Sequence, residues 1–318
     1  MVAERSRASD ASSESEGAGR PSGAESHLRA RAEKGRRDRS WPDAPDPLTV
    51  PVYDNHTHLE VADGDDPLDA ETHLARAAAA GVRGVVQVGT DVATSVWSAD
   101  LAAVDRRVLA AVAIHPNDAP ELATAGELDA ALETIAELAA RPRVRAVGET
   151  GLDFFRTGEE GRSAQFASFE AHIEIAKRTG TALQIHDRDA HDEVVETLLR
   201  VGAPEKTVFH CFSGDEELAR VCADHGWYLS FAGTVTFSNA GRLRDALRVA
   251  PRASVLVETD APYLTPTPFR GRPNAPYLIP YTLRSMAETL GVDVDEVAAD
   301  VAANTERVYG SWDEDIDG

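Results

Sequence analysis

Six side chains able to hold a divalent cation stand at the ends of short apolar runs. The first two lie in Asp54-Asn55-His56-Thr57-His58-Leu59, where the two-residue period of an extended chain turns both imidazoles to one side. Neutral imidazoles side by side suit a divalent metal, although a lone His-x-His also describes two polar strand-end histidines. Glu149 closes the run Val144-Arg145-Ala146-Val147-Gly148, and a carboxylate there is costly to bury unpaired. A pair of bridged cations would remove that cost, as would an arginine such as Arg145 or Arg188. His186 ends Leu183-Gln184-Ile185 and His210 ends Thr207-Val208-Phe209, so two successive strands deliver one imidazole each and together can hold a second metal. In Val255-Leu256-Val257-Glu258-Thr259-Asp260, alternation puts Glu258 and Asp260 on one face. Asp260 lies further out and is expected to touch metal and act as general base, with Glu258 a buried support. Asp153 is expected to orient a ligand rather than be one.

The elements that must position these groups are legible in the pattern. From residue 50 onward, β-branched runs alternate with longer alanine- and leucine-rich helical stretches, the signature of parallel strands joined by crossover helices. Eight strands are expected at Pro51–Asp54, Gly84–Val88, Val108–Ile114, Val144–Val147, Ala182–Ile185, Thr207–Phe209, Trp227–Phe231 and Ser254–Val257. Between Ser163 and Arg178, Phe166, Phe169, Ile173 and Ala176 recur on one helical stripe. The count predicts an α/β fold, a (β/α)8 TIM barrel, in which catalytic groups gather at the C-terminal ends of the strands. Five of the ten histidines, His56, His58, His115, His186 and His210, fall at or just beyond such an end.

Composition bounds the remaining classes. The 318 residues, 42% apolar, suffice for one large core. Two cysteines, Cys211 and Cys222, argue against a disulfide scaffold and fit a reducing, cytoplasmic compartment; no run approaches the ~18 apolar residues of a membrane span. A net charge of −22 disfavours non-specific binding of long duplex nucleic acid. Residues 1–46 are polar, with nine basic and nine acidic residues, and predict a disordered tail that the domain can lose without harm. The expected domain runs from 47 to 311, and 312–318 is an acidic tail.

Taken in order, His56-Thr57-His58, Gly148-Glu149-Thr150-Gly151-Leu152-Asp153, Gln184-Ile185-His186-Asp187-Arg188-Asp189, His210-Cys211-Phe212-Ser213-Gly214 and Glu258-Thr259-Asp260-Ala261-Pro262-Tyr263-Leu264-Thr265-Pro266 resemble the TatD family of metal-dependent hydrolases, in the amidohydrolase superfamily. The resemblance, from about 52 to 310, implies one divalent ion on His56, His58, Glu149 and Asp260 and another on Glu149, His186 and His210, as Mg2+, Mn2+ or Zn2+. It implies Asp260 and Glu149 as catalytic residues and hydrolysis of ester bonds. Many members are described as deoxyribonucleases, so DNA 3′ ends or another phosphodiester are the expected partners, with no membrane and no obligate protein partner. Ala113-Ile114-His115-Pro116 resembles the family's strand-three motif, and His115, with Arg188, Arg270 and Arg272, is a candidate substrate contact; a solvated turn describes Arg270 and Arg272 equally. Asn117 stands where a second histidine is common, and Ala275 where glutamate is. A hydrolase of another ester or amide, such as an aminoacyl-tRNA, and a non-catalytic metal-binding barrel are the competing readings.

Overall fold

The computed structural model describes residues 28–32 and 35–313. Among these residues ten strands follow in chain order: β1 (Arg29–Ala30), β2 (Val52–Thr57), β3 (Val61–Ala62), β4 (Val82–Val88), β5 (Val108–Val112), β6 (Val144–Asp153), β7 (Ala182–Arg188), β8 (Thr207–Phe209), β9 (Tyr228–Phe231) and β10 (Val255–Val257). The α-helices among the described residues are α1 (Ala70–Ala79), α2 (Val92–Val104), α3 (Ala119–Ala125), α4 (Leu128–Ala139), α5 (Glu159–Thr179), α6 (His191–Val201), α7 (Glu216–His225), α8 (Gly241–Val249), α9 (Ile279–Leu290) and α10 (Val294–Tyr309). Eight strands, β2 and β4 through β10, pair in parallel with their sequence neighbours. The last meets the first just beyond its end: Asp260 N donates to His56 O at 2.9 Å and His58 N to Ala261 O at 2.8 Å. The expected (β/α)8 barrel is therefore present.

Alternation along the strands divides the core in two. Val86, Val88, Leu109, Ala111, Ala146, Ala182, Val208 and Leu256 form a cluster with Tyr309 and Trp312. Their neighbours Val85, Ala110, Val112, Val147, Leu183 and Phe209 join the cluster that includes Phe169, Ile173 and Ala176 of α5. Aspartate caps fix the starts of α1, α2 and α7: Asp69 accepts from Thr72 N, Asp91 makes a reciprocal capping box with Thr94, and Asp215 accepts from Glu217 N and Leu218 N. Each satisfies amides that the first helical turn leaves unpaired. Among the described residues no helix is long and apolar enough to cross a membrane.

Two expectations about the ends need correction. Residues 28–32 and 35–46 are ordered against the barrel: β1 pairs in parallel with β3, Trp41 packs edge-on to His73 at 5.5 Å, and the buried Tyr277 donates its hydroxyl to Pro42 O. Low apolar content hid this, because the segment is held largely by arginines reaching acids and carbonyls far away in sequence. The part of the expected tail at 1–27 lies outside the described residues, as do 33, 34 and 314–318. At the other end Trp312 is no part of a solvated tail: it is buried, and its ring stacks on Tyr53 at 4.0 Å.

Candidate metal centre

The strand ends bring the six expected residues into one cluster. His56 sits in β2 and His58 just beyond it; Glu149 is in β6, His186 in β7, His210 immediately after β8 and Asp260 three residues after β10. A close approach of backbones shapes the β6 segment: a Cβ on Gly151 would lie 2.1 Å from the carbonyl oxygen of His186, so only glycine lets β6 and β7 run this near each other. Asp260 takes a positive φ of 53°, a sparsely populated conformation of a kind that gathers at functional sites.

Glu149 occupies the middle. Its Oε1 lies 2.6 Å from His186 Nδ1, 2.9 Å from His210 Nε2 and 3.4 Å from His115 Nε2. Its Oε2 is 3.6 Å from His56 Nε2 and 3.7 Å from His58 Nε2. Asp260 Oδ1 is 3.5 Å from His58 Nε2 and 4.0 Å from His56 Nε2, and the two Nε2 atoms stand 3.3 Å apart. Three groups of donor atoms fall within reach of a single ion: His56, His58 and Asp260; His56, Glu149 and His210; and His115, Glu149 and His186. Imidazole and carboxylate are the donors that borderline divalent cations accept.

Hydrogen bonds behind the cluster aim most of these rings. His56 Nδ1 faces Gln184 Oε1 at 3.1 Å, His58 Nδ1 faces Val88 O at 3.0 Å, and His210 Nδ1 faces Glu258 Oε1 at 3.3 Å. Each partner accepts a proton carried on Nδ1 and so leaves Nε2 turned into the cluster as the ligand atom, the usual orientation device at metal-binding histidines. Gln184 is itself fixed, its Nε2 donating to Asn55 O and to the Tyr309 hydroxyl. His186 differs: Nδ1 faces Glu149 and Nε2 faces Asp153 Oδ2 at 3.3 Å. Asp153 thus contacts a candidate ligand, as the sequence leads one to expect. Burial pushes the Glu149 carboxyl up, but the charges of His210 and His115 and the hydrogen bonds from His115 and His186 outweigh it and hold it well below the usual carboxylate range. Reciprocally, burial lowers the His210 pKa, and Glu149 and Glu258 together raise it well above the ordinary imidazole value.

The candidate substrate contacts fare unequally. His115 belongs to the cluster itself. Arg188 lies with its guanidinium 4.0 Å over the ring of Phe155, an exposed aromatic residue. Arg270 is exposed and stacks on Phe237 at 4.2 Å. Arg272 is engaged elsewhere, donating to Ser40 O, Ser40 Oγ and Trp41 O, so it ties down the N-terminal segment. Asn117, in the place of the family's second histidine, donates to Asp153 Oδ2 at 3.0 Å. Sequence reasoning missed Gln184 and Glu60. Gln184 follows the strand alternation that places His186, which was the signal available; Glu60 lies in the turn after β2, where no period marks it.

Residues 53–310 match the family described as TatD related DNase. An uncharacterized metal-dependent hydrolase TatD of Mycobacterium tuberculosis is 46% identical over 263 residues, 81% of this chain and 98% of the relative. The 3'-5' ssDNA/RNA exonuclease TatD of Escherichia coli is 35% identical over 252 residues, 76% of this chain and 93% of the relative. Among solved structures, the TatD homolog YjjV of E. coli superposes with a TM-score of 0.73 at 29% identity, covering 83% of this chain and all of that one.

Proposed function

Since this chain belongs to the TatD related DNase family, we propose that it is a divalent-metal-dependent exonuclease that shortens single-stranded DNA from the 3′ end. One observation carries the reading: a single buried carboxylate, Glu149, stands between two sets of imidazoles, with Asp260 beside the His56–His58 pair. His56, His58, Glu149 and Asp260 would hold one ion and Glu149, His186 and His210 the other, with His115 adjoining. When bound, such a pair supplies positive charge to a phosphate oxygen and lowers the pKa of water towards ~7.

The chain's own groups do the rest. Asp260, 15% exposed at its side chain, would accept the proton of the attacking water as its oxygen joins phosphorus and the bond to the 3′ oxygen breaks. His115 supports a non-bridging oxygen. Arg188 and the exposed Phe155 present a planar cation and an aromatic face at the rim, a surface on which a base stacks. Such contacts select a strand end rather than a long duplex, which the −22 charge repels.

The experiment incubates metal-loaded protein with 3′-labelled single-stranded DNA, the same sequence as RNA, a mismatched aminoacyl-tRNA and bis(p-nitrophenyl) phosphate. Stepwise release of the 3′ label from DNA is expected. Hydrolysis of the aminoacyl ester with both oligonucleotides intact would replace the nuclease reading by the esterase one.

A further inference from the structure

We propose that the N-terminal segment, although it precedes the family match at residue 53, is part of the active-site machinery, with Arg29 and Arg31 as positioning residues for His58 and Asp260. The inference rests on the proposed metal centre and extends it to residues outside the family match.

β1 lies beside β3, which follows His58 by three residues. Arg29 and Arg31 are two residues apart in this extended stretch, so their side chains leave it on one face. Arg31 Nη1 donates to Asp63 Oδ2 at 2.9 Å and to Pro262 O at 2.6 Å. Its guanidinium also stands 5.2 Å from the centre of the Tyr263 ring, which in turn meets His58 edge-on at 6.3 Å. One side chain therefore ties the loop carrying Asp260, two residues before Pro262, to the loop after β3. Arg37 adds a second bond to Asp63, so the anchor is itself braced.

Arg29 acts behind His58. Its Nη2 donates to Glu60 Oε1 at 2.8 Å, while Gln87 Nε2 holds Glu60 Oε2 at 2.7 Å. Glu60 is fully buried, and its Oε1 lies 3.8 Å from His58 Nδ1. With both oxygens engaged elsewhere, Glu60 leaves the His58 Nδ1 proton to Val88 O, and Nε2 stays aimed at Asp260. His58 and Asp260 belong to the same candidate ion site, so the two arginines steady its two halves from outside. Partners that orient ligands in this way typically change metal affinity by about 10- to 100-fold when removed.

The test measures Mn2+ binding by titration calorimetry, bis(p-nitrophenyl) phosphate hydrolysis and Tm for the full chain, Arg31→Ala, Arg31→Lys and the Arg29→Ala/Arg31→Ala double variant. Arg31→Ala is expected to weaken Mn2+ binding by about tenfold or more and to lower kcat more than it raises KM. Arg31→Lys, which keeps the charge and its donors but is shorter and lacks the planar guanidinium beside Tyr263, should recover part of each loss. Mn2+ affinity within twofold of the full chain in a folded double variant overturns the proposal. Should the alanine variants fail to fold, unaltered Mn2+ affinity and kcat in Arg31→Lys and Arg31→Gln overturn it equally. The binding arm is independent of substrate: if the unaltered protein binds Mn2+ but cleaves no phosphodiester, the nuclease reading fails and the comparison of affinities still decides the role of the arginines.

Discussion

Glu258 and Asp260 leave the same strand end two residues apart, and their surroundings divide the labour between them. Glu258 is fully buried; its Oε1 accepts from Cys211 N at 2.7 Å and faces His210 Nδ1. Asp260 reaches the cluster and retains some exposure. Asp260→Asn keeps the shape but removes the base, so turnover should fall by roughly 10²- to 10⁴-fold with substrate affinity changed far less. Glu258→Gln turns an amide towards the His210 proton and should instead weaken Mn2+ binding by about 10- to 100-fold. Kinetics and calorimetry on the two variants check this; near-normal turnover in Asp260→Asn with metal retained would transfer the base to another residue. A second residue-level expectation concerns His172, whose Nε2 accepts from Ile114 N at 3.0 Å and whose Nδ1 donates to Ser168 O at 2.7 Å. Burial pulls its pKa down to about 4, below the ~6.5 of an unfolded chain. The unfolded chain therefore binds more protons between these values, and the His172 contribution is intact above pH ~6.5 and declines as pH falls toward 4. At roughly 1.4 kcal/mol per unit, the decline is on the order of 3 kcal/mol. Urea unfolding of the wild type and His172→Gln at pH 7.5 and 5 isolates it, because the other groups cancel; a stability gap that stays constant across that window rules it out.

At the scale of elements, the N-terminal segment changes what a truncation should do. Composition alone predicts that residues 1–46 can be removed harmlessly. The structure shows instead that Asp63 takes ion pairs from Arg31 and Arg37, Glu60 takes one from Arg29, and Trp41 and Pro42 cover His73 and Tyr277. Burial raises the Asp63 pKa, and the bonds from Arg37, Gly64 N and Arg31 more than offset this and leave it lowered. A chain starting at Leu28 should melt with the full protein. One starting at Pro47 loses the cations of two acids, a change typically worth about 3 kcal/mol or more when such pairs are buried. Its Tm should drop by roughly 5 °C or more. Calorimetric melting of both shortened chains beside the full one decides; equal Tm values would show that the contacts contribute nothing net.

For the whole molecule, the cluster of carboxylates and imidazoles is a place where cation binding and folding are linked, because an ion that binds only the folded state stabilises it by mass action. Exhaustive chelation should abolish hydrolysis and lower Tm, and Mg2+, Mn2+ or Zn2+ should restore both. Full turnover after chelation, with metal content measured as zero, would exclude a metal-dependent mechanism.

The eight strands were legible because the barrel is written in short-range terms: each strand is a local β-branched run, each helix a local stripe, and each candidate ligand a polar residue at the end of a run. Order along the chain then implied a common rim, since parallel βα units deliver all their strand ends to one face. Which atoms meet was not local. Asn55 O and Tyr309 fix Gln184 from sequence separations of 129 and 125 residues, and Arg31 finds Pro262 across 231. No periodicity marks such pairs, because a single long-range hydrogen bond leaves no repeating trace in the chain. For the same reason the N-terminal segment reads as disordered when its own composition is considered: its ordering free energy resides in acids and carbonyls supplied by the barrel. The residue types and their order determined the fold and the set of groups at the rim; tertiary contact alone decided how the imidazoles are aimed and that the segment before the barrel reaches the site.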